Sequence, residues 1–257
     1  GIVMSKNVFC DLNGNLKLFN LIMKFFEEKE QAGETVEYYF LGDACDRMND
    51  GYEIMKSLIA DERCIYIKGN HEDMLINALI DLKALSTGEE DFTTDDNIRN
   101  YIMKAYYVSE YVQLSIANGS YATLEAWIKD GMPRKFVQAL LVLPNYCKVD
   151  NYTLMHAGCD NFQFEHNDIH AMIWNRNHFY DDWEKGILIH GHTPVSYLPA
   201  SVKHNVHHIT WSPIVYANNT KICMDTACFH TNRIFVLNLD TNEFIPFVGE
   251  NAMEETL

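Results

Sequence analysis

The sequence predicts an α/β protein, because short apolar runs alternate with longer amphipathic stretches along the chain. At 257 residues there is enough chain to bury a sizeable core within one domain. Five polar, mostly glycine-bearing segments each follow an apolar run directly, the arrangement expected where strand ends converge on a ligand crevice.

Taken in order, 7–10 reads as a strand, 15–29 as a helix, 36–41 as a strand, 52–59 as a helix and 64–68 as a strand. From Glu72 to about Leu143 the pattern is helical, broken at 86–95 and at Asn118-Gly119. That stretch is too long for a crossover connection, so a helical insertion of about 74–143 is expected, placed to line or cover a site. Strands return at 152–155, 186–189, 206–211, 221–224, 233–239 and 244–248, and an acidic frayed tail is expected over about 250–257. No repeat or linker divides the chain, which is expected to form a single domain over 1–257.

Composition narrows the function classes. Hydrophobic residues at 47% and charged residues at 22% are ordinary globular usage. No apolar run approaches the roughly 18 residues of a membrane span. A net charge of −16 argues against broad nucleic-acid binding, which depends on clustered Lys and Arg. The seven cysteines are odd in number, scattered and never spaced C-x-x-C. They read as reduced thiols and, with no secretory signal pattern at the N-terminus, give a cytoplasmic expectation.

The five segments are Asp11-Leu12-Asn13-Gly14-Asn15, Gly42-Asp43-Ala44-Cys45-Asp46-Arg47, Gly69-Asn70-His71-Glu72, His156-Ala157-Gly158 and Gly191-His192-Thr193-Pro194. Asp11 and Asn13 are two apart, so in an extended chain they face the same way. Any one segment is weak evidence, since a Gly-Asp or Asn-His pair is usually a turn. Together they supply carboxylates, amide oxygens and imidazoles (Asp11, Asp43, Asn70, His156, His192), a donor mixture suited to two divalent cations such as Mn, Fe or Zn.

The order D-x-N-G, G-D-x-x-D-R, G-N-H-E, H-A-G, G-H-T-P resembles the calcineurin-like metallophosphoesterases. Within them it is similar to the PPP-type serine/threonine phosphatases, above all the compact bacterial and phage lambda-type enzymes. Ile173-Trp174-Asn175-Arg176 and Met224-Asp225-Thr226 match further stretches of that subgroup, and Asn118-Gly119-Ser120 more loosely. The resemblance implies a central β-sandwich of two mixed sheets flanked by helices. It also implies that Asp43 bridges two metals, that Asp11 with Asn13 holds the first, and that Asn70, His156 and His192 hold the second. Arg47 and Arg176 would clamp phosphate oxygens, a task that suits the guanidinium fork, with Asn70 and His71 beside them. His71, oriented by Asp46, would protonate the leaving oxygen after attack by a metal-bridging hydroxide.

Three departures stand out. Asn13 occupies a position where the family has His, which predicts a first site that is weaker, or that favours Mn or Mg over Fe or Zn. Met48 stands where Gly follows D-R, and Gly-His-Thr lacks the later His of the G-H-x-H families. That missing His and the acidic charge speak against a nuclease or phosphodiesterase.

The remaining candidates have plainer readings. His190 is expected to pack within a strand, and His204, His207 and His208 to lie in a solvated loop and edge strand. Cys45 and Cys159 read as buried thiols, Trp174 and Tyr180 as core or cleft border, and Tyr106, Tyr107 and Tyr111 as one core-facing helical stripe. The expected activity is hydrolysis of phosphate monoesters with two divalent ions, Mn foremost, on phosphoserine or phosphothreonine proteins or a small phosphate ester. The alternatives are a dinucleoside polyphosphate hydrolase of the diadenosine tetraphosphate type and, from another class, a phospho-ligand binding module weakened at Asn13.

Overall fold

The computed structural model describes residues 2–203 and 211–254. Its first half runs β1 (Val3–Phe9), α1 (Leu16–Gln31), β2 (Glu34–Phe40), α2 (Gly51–Ala60), β3 (Cys64–Tyr66), α3 (Asn70–Leu85), α4 (Asp95–Val108), α5 (Glu110–Ala117), α6 (Tyr121–Lys129) and α7 (Arg134–Leu141). The second half runs β4 (Tyr146–Val149), β5 (Tyr152–Met155), α8 (Asn161–Glu165), α9 (Ile169–Trp174), β6 (Ile187–His190), β7 (Ile214–Tyr216), β8 (Lys221–Cys223), α10 (Cys228–Thr231), β9 (Arg233–Asn238) and β10 (Glu243–Val248).

These strands form two five-stranded mixed sheets, in the orders β10-β9-β1-β2-β3 and β4-β5-β6-β8-β7. Period-two alternation explains how one strand serves two cores. On β1 and β2, Phe9, Tyr38 and Phe40 face the helices with Leu18, Ile22 and Phe26 of α1. Val8, Tyr39 and Leu41 face the other way, against Leu154, Ile189 and Ile222 of the second sheet. Both faces of these strands are therefore buried, and their sequences read as continuous apolar runs. Helix α1 starts where the Asn15 side chain accepts from Leu18 N at 3.1 Å, and its buried residues Leu18, Phe19, Ile22 and Phe26 follow helical spacing.

Several expectations need correction. Strands β4 and β7 were not foreseen; they are only four and three residues long, too short for a periodic signal. The strand expected at 206–211 and the histidines 204, 207 and 208 lie outside the described residues, apart from Trp211, which is in no strand. Of the tyrosine stripe, Tyr106 is partly buried but Tyr107 and Tyr111 are exposed, because α4 ends at Val108 and the helical register breaks. Two tail residues are tied back: Asn232 Nδ2 donates to Glu250 O at 2.9 Å and Met253 N to Thr231 O at 2.9 Å. All seven cysteines are free thiols. No helix among the described residues is long and apolar enough to cross a membrane.

Candidate metal centre

Three parallel strands in each sheet, β1, β2, β3 and β5, β6, β8, end at one crevice. Asp11, Asp43 and Asn70 leave the first sheet there, and His156 and His192 leave the second. Backbone bonds hold the ends in register: Asp11 N donates to Gly42 O at 3.0 Å, and Gly191 N to His156 O at 2.7 Å. The loops are sharp. Asp11, Asn13, Asp43, Asp46, Arg47 and His192 all have positive φ, between 44° and 75°. Each such non-glycine residue costs on the order of 1–3 kcal/mol, strain that persists only where surrounding contacts over-determine it. Asp11 and Asn13 are thus not in extended chain, and their shared direction comes from this turn. At Gly42, with φ +93°, any side chain would collide with the Gly69 backbone.

Lone pairs converge at the centre. His156 Nδ1 lies 2.7 Å from Leu41 O and His192 Nε2 lies 3.2 Å from Trp174 O; donation to these carbonyls leaves His156 Nε2 and His192 Nδ1 turned inward. Ligand atoms of Asp43, His156 and His192 all lie within 4.8 Å of one another. One end of the Asn70 amide sits among them, 2.9 Å from His156 Nε2, 3.1 Å from His192 Nδ1, and 3.0 and 3.2 Å from the Asp43 oxygens. As nitrogen it donates to these groups; half a turn of the amide puts the oxygen there instead. Acceptors gathered round one point fit a divalent cation held by Asp43, Asn70, His156 and His192.

Beside it lies a carboxylate-rich group of Asp11, Asn13 and Asp43. Asn13 Nδ2 donates to Cys45 O at 3.1 Å, which leaves its Oδ1 as the end available to a ligand. These oxygens suit a second, harder cation.

The electrostatics follow from burial among like and unlike charges. Burial opposes ionisation of Asp43, but His156 and His71 outweigh it and lower its pKa. Burial likewise opposes a charge on His156, yet Asp43 and then Asp11 raise it to about 10. Positive charge between Asp43 and His156, whether proton or cation, is what this geometry favours. Burial, then His156 and Arg176, depress His192 to about 2. Burial followed by Asp225 raises Asp11, and burial raises Asp225 to about 6.

The expected phosphate-handling residues share the same cleft of about 580 Å³, on whose wall Arg47, His71 and Arg176 all appear. Arg176 Nη2 donates to His192 O at 3.2 Å. The Arg47 guanidinium lies 5.7 Å from the Phe229 ring centre, and the loop glycine Gly119 makes room for it: a Cβ there would come within 2.7 Å of Arg47 N. His71 Nδ1 lies 2.6 Å from Asp46 Oδ2, while Ser120 Oγ donates to Asp46 Oδ1 at 2.7 Å. Burial works against a charged His71, but Asp43 and the Asp46 hydrogen bond raise its pKa overall.

Three residues of this cleft, Ser120, Asp225 and Glu72, lie in segments the sequence singled out but were given no role there. Glu72 is fully buried, and its carboxylate accepts from Asp43 N, Ala44 N, Gly69 N and Tyr66 Oη at 2.7–2.9 Å. Its place in G-N-H-E was visible, but its partners were not. The insertion does not roof the cleft. Only its α5–α6 turn touches the site, pressing on Asp46 and Arg47 from behind. His190 is packed in its strand, bonded to Tyr216 Oη at 2.6 Å. Trp174 abuts His192, whereas Tyr180 is exposed and borders a separate surface hollow.

A two-sheet sandwich with carboxylate, amide and imidazole donors at its parallel-strand ends, flanked by two arginines, defines the metallophosphoesterase class. The chain belongs to the calcineurin-like phosphoesterase family, whose model matches residues 8–223. Its fold is similar to that of a metallophosphoesterase from Sphaerobacter thermophilus, at 14% identity, TM-score 0.50, over 96% of this chain and 89% of that one. A hypothetical protein from Pyrococcus horikoshii OT3 is similar too, at 14% identity, TM-score 0.52, over 96% of this chain and 88% of that one. No curated protein matches the chain in sequence.

Proposed function

We propose that the chain hydrolyses phosphate monoesters as a dimetal phosphatase of the PPP type, acting on phosphoserine or phosphothreonine proteins. The observation that carries this reading is one open cleft shared by two guanidinium groups, an Asp46-oriented imidazole and the clustered metal donors. Bound divalent cations, Mn foremost, would neutralise phosphate charge and make water a nucleophile near neutral pH. Arg176 and Arg47 hold the phosphate oxygens as they face the cleft. His71, with Nδ1 on Asp46, delivers the Nε2 proton to the departing oxygen. A purely binding module has no need of that oriented acid. The free thiols fit a reducing compartment such as the cytoplasm.

A second reading, dinucleoside polyphosphate hydrolysis, draws on Tyr197 and Phe229, which line the cleft while 77% and 44% exposed and could stack on a base. The deciding assay is turnover of p-nitrophenyl phosphate, a phosphothreonine peptide and diadenosine tetraphosphate with saturating Mn, for the wild type and Asn13→His. Turnover of the first two supports the phosphatase, and preference for the third supports the nucleotide reading. No turnover by either protein, with tight phosphopeptide binding, would replace both with the binding module.

A further inference from the structure

We infer that Asp225 is a metal ligand, a third carboxylate that completes the site of Asp11 and Asn13 where the family relies on an imidazole at position 13. This rests on the dimetal reading above and names a residue that reading does not include. Topology is the first observation. Five of the six parallel strands meeting at the crevice release a donor just past their ends, and the sixth, β8, releases Asp225 two residues beyond Cys223.

Placement is the second. Asp225 is only 5% exposed, yet it lines the cleft with Asp11, Asn13 and Asp43. Its backbone is fixed by Val195 N donating to its carbonyl at 2.8 Å, and its Oδ1 accepts from Ala227 N at 2.8 Å. Cys228 Sγ ties the two loops by donating to Asp11 O at 3.1 Å.

Charge is the third. The ion pairs of this site join Asp43 to His71 and His156 and Asp46 to His71, and among the described residues neither Asp11 nor Asp225 takes part in one. Two buried carboxyls on one cleft wall, neither in an ion pair, are costly unless something positive joins them. A divalent cation held by both does so. Asn13 brings a neutral oxygen where an imidazole would stand, and Asp225 restores the donor count and adds charge. The resulting set is all oxygen, which selects Mn or Mg over Zn, while the neighbouring site keeps two imidazoles.

The test is equilibrium dialysis of the chelator-stripped full chain against Mn, with metal counted by elemental analysis, for the wild type, Asp225→Asn and Asn13→His/Asp225→Asn. The wild type is expected to bind two ions. Asp225→Asn should keep one at wild-type affinity and bind the other about 10- to 100-fold more weakly. The double variant should regain the second ion and take Zn in preference to Mg there. Two ions at wild-type affinity in Asp225→Asn overturn the inference and leave the dimetal reading intact; no ions in the wild type overturn both. Metal-free melting separates ligation from a structural role. Loss of one of three crowded carboxylates should leave the melting temperature unchanged or higher, whereas a lower one with undiminished Mn binding makes Asp225 structural. Independently of any variant, anomalous scattering from Mn soaked into wild-type crystals should place an Asp225 oxygen about 2.0–2.6 Å from an ion. A separation beyond about 3.5 Å would refute it.

Discussion

In the proposed mechanism, the proton that His71 delivers is governed by residues that need not touch a substrate. Asp46 fixes the imidazole through Nδ1, and Ser120, seventy-four positions along the chain, fixes Asp46. Asp46→Asn is therefore expected to lower kcat by about 10²-fold with little change in KM, as the oriented proton donor is lost. Ser120→Ala should act in the same direction but more weakly. Stopped assays with p-nitrophenyl phosphate decide this, and a change confined to KM would mean that the pair serves binding. Arg176→Lys keeps the charge but not the fork, so kcat/KM should fall by about 10-fold, further in Arg176→Ala. At this scale the candidate donors were legible as such because each sits in a short, chemically specific segment. Ser120 and Asp225 stood in recognised stretches, but their roles were not legible, because these depend on what lies beside them in the fold.

Among the elements, the loops after β2 and β3 depend on the first turn of α3. Glu72 there gathers three backbone N–H groups and a tyrosine hydroxyl from separate segments. It holds Asp43 in a left-handed conformation that its own preferences disfavour. Glu72→Ala leaves those donors buried without partners and is expected to cost about 3–5 kcal/mol in urea unfolding. It should also weaken Mn binding, since Asp43 loses its support. A loss below about 1 kcal/mol would mean that solvent replaces the carboxylate. The insertion shows the same division of labour: its helices were legible from periodicity, but its place behind the site was a matter of packing.

Across the whole molecule, the candidate metal donors come from both sheets, so a bound ion would tie the sandwich together. Mn at about 100 times its dissociation constant should stabilise the fold by roughly 2.7 kcal/mol, reversed by chelation. Away from the centre, Lys221 is buried, and its ammonium donates to His178 O. Burial pushes its pKa from 10.5 down to about 8, with Asp181 pulling the other way. The unfolded chain then binds more protons than the folded one between those values. Stability from this group therefore rises with pH from about 8 to 10.5, and its penalty is complete below 8. Relative to Lys221→Met, the wild type should gain on the order of 2 kcal/mol across that window, allowing for partial screening. Parallel pH profiles of the two proteins would show the Lys221 effect to be absent.

The sequence by itself determined the α/β class, the order of most elements and the five donor segments, because periodicity and short motifs are local properties of the chain. It left open how the donors are grouped. Only the tertiary structure decided that His156 and His192 turn opposite ring nitrogens toward Asp43, that Glu72 holds the two loops after β2 and β3, and that Asp225 shares the cleft wall with Asp11 from the other sheet. Those relations join residues up to 214 positions apart, as Asp11 and Asp225 are. They arise when two sheets close over one apolar layer and bring their strand ends together, a contact that no local pattern encodes.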